Sequence, residues 1–284
     1  MSWQSPHSRP LPDWHTRPLL MGILNVTPDS FSDGGLASDP EAAAERAVRL
    51  MAEGADVLDL GAESTRPGAT PISAQEELAR LLPALAAIRR RLPQAPLSID
   101  TYKPEVAQAC IESGADLVND VEGGAYQAVG TSSPMARLCV RLRCPLILMH
   151  RRKEADYLDF WPEILADTRR AIQRAREEGL PAEQLWIDPG FGFGKTPAQN
   201  LMLVRNLERF TGLGYPVLLG TSRKSTLGLV LGRPDPLDRH EGTVATAVWG
   251  VAQGASMIRV HDVGRIKPLL TMATALRSGG NWKA

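Results

Sequence analysis

The sequence predicts an α/β chain folded as a single-domain (β/α)8 TIM barrel. Three observations predict it. Eight short apolar runs alternate with longer helical patterns, and strands that alternate with helices imply a parallel sheet. One glycine punctuation recurs between helix and strand. Eight βα units in about 250 residues match a closed barrel. The alternative, a doubly wound open sheet, usually carries a glycine-rich phosphate fingerprint after its first strand. Here Met21-Gly22 lies inside the first run, no G-x-G-x-x-G follows, and no linker divides the chain.

In chain order the runs are LLMGIL (19–24), VLDL (57–60), LSI (97–99), LVN (117–119), PLILM (145–149), LWI (185–187), PVLLG (216–220) and MIRV (257–260). Their flanks decide the assignment, because apolar residues there fall at i, i+3, i+4 and i+7, the stripe of a helix. Ala44, Ala47, Val48 and Met51 make one stripe, and Leu78, Leu81, Leu82 and Leu85 a second. Pro83 inside the second is expected to kink that helix or delay its start. Ile164, Thr168, Ala171, Ile172 and Ala175 make a third, and Val244, Ala247, Val248 and Val251 a fourth. Gly54-Ala55-Asp56, Gly114-Ala115-Asp116 and Gly254-Ala255-Ser256 each stand between a stripe and a run. Glycine just past a helix suits a left-handed cap followed by a short αβ connection. The barrel is expected over residues 19–277. Residues 1–18, rich in proline and polar residues, and 278–284 read as loosely ordered tails.

With 284 residues and 43% apolar content the chain can bury a large core. Lys plus Arg and Asp plus Glu are both 32, so there is no electrostatic footprint for nucleic acid or an anionic membrane surface. No apolar stretch is long enough to span a membrane or act as a signal peptide. Cys110, Cys139 and Cys144 lack zinc spacing and read as reduced, buried thiols of a cytoplasmic protein.

In a parallel barrel the site is built at the C-terminal ends of the strands. There the sequence places Asn25, Glu63 with Thr65 and Arg66, Asp100, Asn119 with Asp120, His150, Asp188, Arg223 with Lys224, and Arg259 with His261. A polar group at every strand end, facing one cavity, calls for a ligand that satisfies it. An ionised carboxylate accepts two parallel N–H bonds. Asp100, Asn119, Asp188 and Lys224 therefore fit a flat heterocycle with a 2-amino-4-oxo pyrimidine edge, although a lone acid at a strand end also serves as a helix cap. Arg66, Arg259 and His261 form a separate cationic group suited to a phosphate or diphosphate; surface ion pairing is the alternative for the arginines. A diphosphate usually brings Mg2+, with Asn25 as one protein oxygen and Asp29 or Asp33 as another. GFGFGKT imitates a P-loop but has Pro189 where the motif needs glycine. No G-x-S-x-G elbow, H-E-x-x-H or zinc framework occurs.

MGILNVTPDSFSDGG, GAESTRPG, SIDTYKPEVA, LVNDVEGG, ILMH, IDPGFGFGK, GTSRKS and IRVHDV, in this order and spacing, resemble the dihydropteroate synthase family from about Leu19 to Ala275. The resemblance implies the same barrel. It also implies condensation of (7,8-dihydropterin-6-yl)methyl diphosphate with 4-aminobenzoate by an SN1-like displacement, in folate biosynthesis. It implies that Asp100, Asn119, Asp188 and Lys224 bind the pterin. Thr65, Arg66, Arg259 and His261 would hold the diphosphate, with Asn25 on Mg2+. Thr65, Pro67, Phe193, Lys224 and Ser225 would line the 4-aminobenzoate pocket. Lys224, Arg259, His261, Asp100 and Asp188 would carry catalysis. Phe31, on a polar segment ending in Gly34-Gly35, would close over the reacting carbon and exclude water. Members are commonly dimers, which implies a homodimer. The chain departs from the pattern after His150, where it reads RRKEADY. A methyltetrahydrofolate-binding methyltransferase would share the pterin acids but have little use for ESTRPG, SRKS and RVH together. A pterin-binding paralogue without activity is the third reading.

Overall fold

The computed structural model describes residues 3–27, 39–64, 70–125 and 132–279. Its strands are β1 (Leu19–Asn25), β2 (Val57–Gly61), β3 (Leu97–Asp100), β4 (Leu117–Asp120), β5 (Leu146–Met149), β6 (Leu185–Asp188), β7 (Leu218–Leu219) and β8 (Met257–Val260). They pair in the order β6-β5-β4-β3-β2-β1-β8-β7, all in parallel. A parallel bridge from Ile187 to Val217 joins β6 to the residue before β7 and closes the barrel. All eight apolar runs become strands. PVLLG, expected over 216–220, keeps only two strand residues.

The helices are α1 (Pro40–Ala52), α2 (Ala74–Arg91), α3 (Pro104–Glu112), α4 (Pro134–Leu142), α5 (Phe160–Glu177), α6 (Pro197–Arg205), the single turn α7 (Glu208–Thr211), α8 (Ser225–Leu231), α9 (His240–Ala252) and α10 (Val263–Ser278). Two stripes differ in detail from the periodicity. In α1 the buried residues are Ala43, Ala44, Ala47 and Leu50, and Val48 is exposed. In α2, Pro83 neither delays nor ends the helix, which begins at Ala74 behind a Ser73–Glu76 capping box. Pro83 sits on the solvent face, where water can satisfy the carbonyl that its missing N–H leaves free.

The glycine punctuation has one geometry. Gly54, Gly114 and Gly254 have φ of 102°, 111° and 95°. In each case the following N–H bonds the carbonyl five residues back: Ala55 to Leu50, Ala115 to Cys110, Ala255 to Gly250. This is the Schellman closure. It recurs after α5 at Gly179, and after α4 with Arg143 in the left-handed position at φ 55°.

Alternation along each strand sorts the core. Leu19, Met21, Val57, Leu117, Ile147, Trp186, Leu218 and Met257 point inward and form an apolar floor, while their neighbours in sequence pack outward against the helices. Residues 3–18, expected as a loose tail, cover that floor. Trp3 is buried, its ring 4.7 Å from that of Trp186, and Trp14 meets Trp186 edge-on at 5.6 Å. The aspartates of two glycine punctuations anchor the segment. Asp56 receives Arg17 at 2.6 and 2.8 Å, and the buried Asp116 receives Arg9 at 2.9 Å. The barrel base is open without such a cover, and tryptophan supplies the area to fill it. Cys110, Cys139 and Cys144 are buried free thiols, as expected.

Candidate active site

The alternation that makes the floor apolar carries polar groups into the mouth. Two residues above Val57 stands Asp59, fully buried in mid-strand. Two above Met257 stands Arg259, two above Leu117 is Asn119, and two above Trp186 is Asp188. Arg259 lies across the acids: its Nε donates to Asp59 Oδ2 and its Nη2 to Asp100 Oδ2, each at 2.6 Å. Asn119 Nδ2 donates to the same Asp59 oxygen at 3.0 Å. Position in the sequence groups Arg259 with His261, apart from the acids; the structure places it among the acids, because alternation turns it inward.

Two glycines let these groups converge. A Cβ on Gly61 would stand 3.3 Å from Asp100 Cβ and 3.6 Å from Asn25 Oδ1. One on Gly220 would stand 3.7 Å from Arg259 Cβ and 4.0 Å from Asp188 Oδ2. Asp188 Oδ1 accepts the N–H of Gly190 at 2.7 Å. Lys224, just before α8, donates from Nζ to the Phe191 carbonyl at 2.7 Å and lies 3.9 Å over the Phe193 ring. Ser225 opens α8 and is exposed. Asp100, Asn119, Asp188, Lys224 and Arg259 thus share one mouth. His261 stands at its edge, its Nδ1 2.9 Å from Ser222 Oγ. Arg223 turns away to Asp262, at 2.7 Å. Thr65, Arg66, Pro67 and Phe31, with Asp29 and Asp33, lie outside the described residues.

Burial works against both signs of charge here. It raises the Asp188 carboxyl, opposed by the Gly190 N–H, Lys224 and Arg259. It raises Asp100 as well, where Arg259 opposes and Asp59 reinforces it. It lowers the Lys224 ammonium to about 7, against the pull of Asp188. Burial also acts against the Arg259 guanidinium, but Asp59 and Asp100 outweigh it and hold the group above its ordinary value.

Besides Arg223, three strand-end groups do not face the mouth. Asp120, one residue past the inward Asn119, caps the following turn by accepting the N–H groups of Glu122 and Gly124 at 2.8 and 2.7 Å. His150, one past the inward Met149, points outward. Its Nε2 meets Asp167 at 3.2 Å and its Nδ1 meets Lys195 at 3.0 Å. Lys195, the lysine of the P-loop look-alike, donates to the carbonyls of Gly190 and Phe193, both at 2.9 Å. It ties down the loop that carries Phe193. Glu63 accepts from Tyr102 at 2.9 Å and from Lys103, which also reaches the buried Glu77 at 2.6 Å. After His150, Arg152 closes the RRKEADY segment onto Asp167 at 2.8 Å and over the Tyr157 ring at 4.2 Å.

Two acceptors in the mouth are unused. Asp59 Oδ1 and Asn119 Oδ1 are buried and receive no hydrogen bond from a described residue. A ligand that fills this mouth can bring hydrogen-bond donors to both of them.

A parallel barrel whose strand ends carry converging charged groups belongs to the class of small-molecule barrel enzymes. The family model described as "Pterin binding enzyme" matches residues 21–261. The dihydropteroate synthase of Bacillus subtilis is 42% identical over 275 residues, covering 94% of each chain. The dihydropteroate synthase of Xanthomonas albilineans, solved with 4-aminobenzoic acid, has a TM-score of 0.87 at 42% identity, covering 93% of this chain and 94% of that one. A structure of the Xanthomonas albilineans enzyme in complex with 7,8-dihydropteroate has a TM-score of 0.83 at 39% identity, covering 93% and 95%. The chain belongs to the dihydropteroate synthase family of pterin-binding enzymes, transferases of folate biosynthesis.

Proposed function

We propose that this chain joins (7,8-dihydropterin-6-yl)methyl diphosphate to 4-aminobenzoate, with its mouth residues acting in three groups. The observation that carries the pterin assignment is the pair of unused acceptors in the mouth, Asp59 Oδ1 and Asn119 Oδ1. They match the N–H donors of a 2-amino-4-oxo pterin edge, since buried acceptors left unpaired are costly. Asp100, Asn119, Asp188 and Lys224 hold the ring. Arg259 and His261, with Thr65 and Arg66, take the diphosphate. Thr65, Pro67, Phe193, Lys224 and Ser225 receive 4-aminobenzoate, and Phe31 covers it.

The methylene carbon–oxygen bond breaks with its electron pair leaving on diphosphate. Arg259 and His261 meet that growing negative charge. Asp100 and Asp188 face the positive charge that spreads into the reduced ring. Preorganised charge of this kind is typically worth about 10²–10³ in rate per group removed. The arylamine nitrogen then bonds to the carbon and loses a proton to solvent. Asn25 fits Mg2+, because its amide oxygen is the kind of ligand that shares the ion with substrate phosphates; among the described residues no acidic or histidine cluster offers a rival site. The ion, when bound, would neutralise diphosphate charge.

We place the enzyme in the cytoplasm as a homodimer. No helix among the described residues is long and apolar enough to cross a membrane. Leu229, Val230, Trp249, Met272 and Leu276 leave apolar surface exposed on α8, α9 and α10, of the kind a second copy would cover.

The test is diphosphate release from protein, Mg2+, pterin diphosphate and 4-aminobenzoate. Release that depends on the arylamine is expected. Tight pterin binding without turnover would point instead to an inactive paralogue, and methyl transfer to a corrinoid to a methyltransferase. Omitting Mg2+ should slow release, and full activity in chelator would remove Asn25 from a metal role.

A further inference from the structure

A hollow lies between α1 and the start of α10, with His261 on its wall. Its volume is about 340 Å3, and its wall includes Arg46, Arg49, Glu53, His261, Asp262 and Arg265. Asp262 is paired with Arg223 at 2.7 Å, and Glu53 accepts the N–H of Gly264 at 3.1 Å but keeps its charge, so three guanidiniums stand against one carboxylate unpaired among the described residues. No side-chain hydrogen bond or ion pair joins Arg46, Arg49 or Arg265 to another described residue. Arg46 is half-buried. Burial, then Arg223 and Arg49, hold its guanidinium below its ordinary value, with Asp262 and Glu53 opposing from a distance. Like charges crowded under partial burial are disfavoured until an anion joins them. Guanidinium groups match the oxygens of phosphoryl groups in pairs. His261, two residues beyond the mouth's Arg259 in the chain, is in the wall of this hollow, which puts the hollow on the side from which an anion held by Arg259 and His261 would depart.

We propose that the hollow between α1 and α10 is an exit subsite for inorganic diphosphate, held by Arg46, Arg49 and Arg265. The proposal rests on the reaction assigned above and involves no bond change. Its effect is on commitment. Diphosphate that stays beside the pterin cation can recombine with it, whereas diphosphate drawn behind His261 cannot.

Equilibrium dialysis of labelled inorganic diphosphate against the full chain, at low ionic strength and without divalent cation, tests it. The parent should take up a second, weaker diphosphate per chain. The triple variant Arg46→Gln, Arg49→Gln, Arg265→Gln should weaken that second uptake by about tenfold, the sum of three partly exposed ion pairs. Pterin affinity should be the same in both proteins, and Arg46→Gln alone should show a smaller loss. One diphosphate per chain in the parent, or equal second-site affinity in both, overturns the proposal. A matching loss of pterin affinity does so too, because it marks a disturbed barrel. Dialysis reads the subsite without turnover, so an inactive preparation would count against the assigned reaction and leave this result standing.

Discussion

On β6 the floor residue is Trp186 and the mouth residue Asp188; on β8 they are Met257 and Arg259; on β4, Leu117 and Asn119. The same strands, at neighbouring inward positions, make two opposite environments. At the floor every inward side chain meets another apolar one, and the cover from Trp3 completes the contact. Burial there stabilises the fold. At the mouth burial pushes Asp100 and Asp188 up and Lys224 down, so the fold tolerates these groups and does not gain from them. The floor holds the mouth together, and the two can be broken separately.

The largest effect is expected at the mouth. Lys224→Ala or Asp188→Ala should lower turnover by about 10²–10³, read as diphosphate release. For Lys224→Ala the melting temperature should stay level or rise, because an ion disfavoured by burial is gone, whereas Asp188→Ala should lower it, because the Gly190 N–H and Lys224 lose their partner. Near-normal turnover would remove that residue from the site. The floor should answer in the other direction. Trp3→Ala should lower stability by about 2–3 kcal/mol in urea unfolding, with turnover at 25 °C unchanged, since the loss is of buried aromatic contact. A rate loss larger than the stability loss would show the two ends to be coupled.

Asp167 tests whether charge can serve the floor's purpose outside the barrel. Burial raises its carboxyl, but hydrogen bonds from His150 and Arg152 outweigh it and hold the group at about 2. Its pKa is therefore lower folded than unfolded. The stabilisation is present above the ordinary value near 4 and is lost as pH falls toward about 2. The stability gap between the parent and Asp167→Asn should reach up to about 2 kcal/mol at about pH 6 and narrow toward about pH 3. A gap independent of pH would exclude the ion-pair account. The smallest effect belongs to the turn after α4. Arg143→Gly should stabilise by about 1 kcal/mol in the same unfolding assay, since it relieves a left-handed position that glycine holds elsewhere in the fold. Destabilisation would mean that the arginine side chain contributes contacts there.

Most of the barrel could be read in advance because its signals are local. Each apolar run is bounded within a few residues, and Gly54, Gly114 and Gly254 announce the turn before the next strand. What could not be read is what depends on direction and distance. Position at a strand end puts Asp120 and His150 with Asn119, although period-two alternation turns them outward. The same alternation would have found Asp59, an acid inside VLDL two residues above an inward valine. It would also have placed Arg259 with the acids. Trp3 and Trp14 gave no local sign of their role, because their partner, Trp186, is more than 170 positions away in the chain. The α1 stripe slipped by one residue because Val48 and Leu50 are equally apolar, and only the neighbouring helix decides which is covered.

The closing seam has one more consequence. Between β6 and β7 the wall is held by a single bridge, Ile187 to Val217, with the Ile187 N–H on the Pro216 carbonyl at 3.0 Å. Asp188 stands on one stave of that joint, and Lys224 hangs from the loop above the other. The two halves of the proposed pterin grip are thus fastened where the cask is thinnest. Warming that loosens this joint would part acid from amine while the remaining staves still stand, so loss of activity would precede collapse of the vessel.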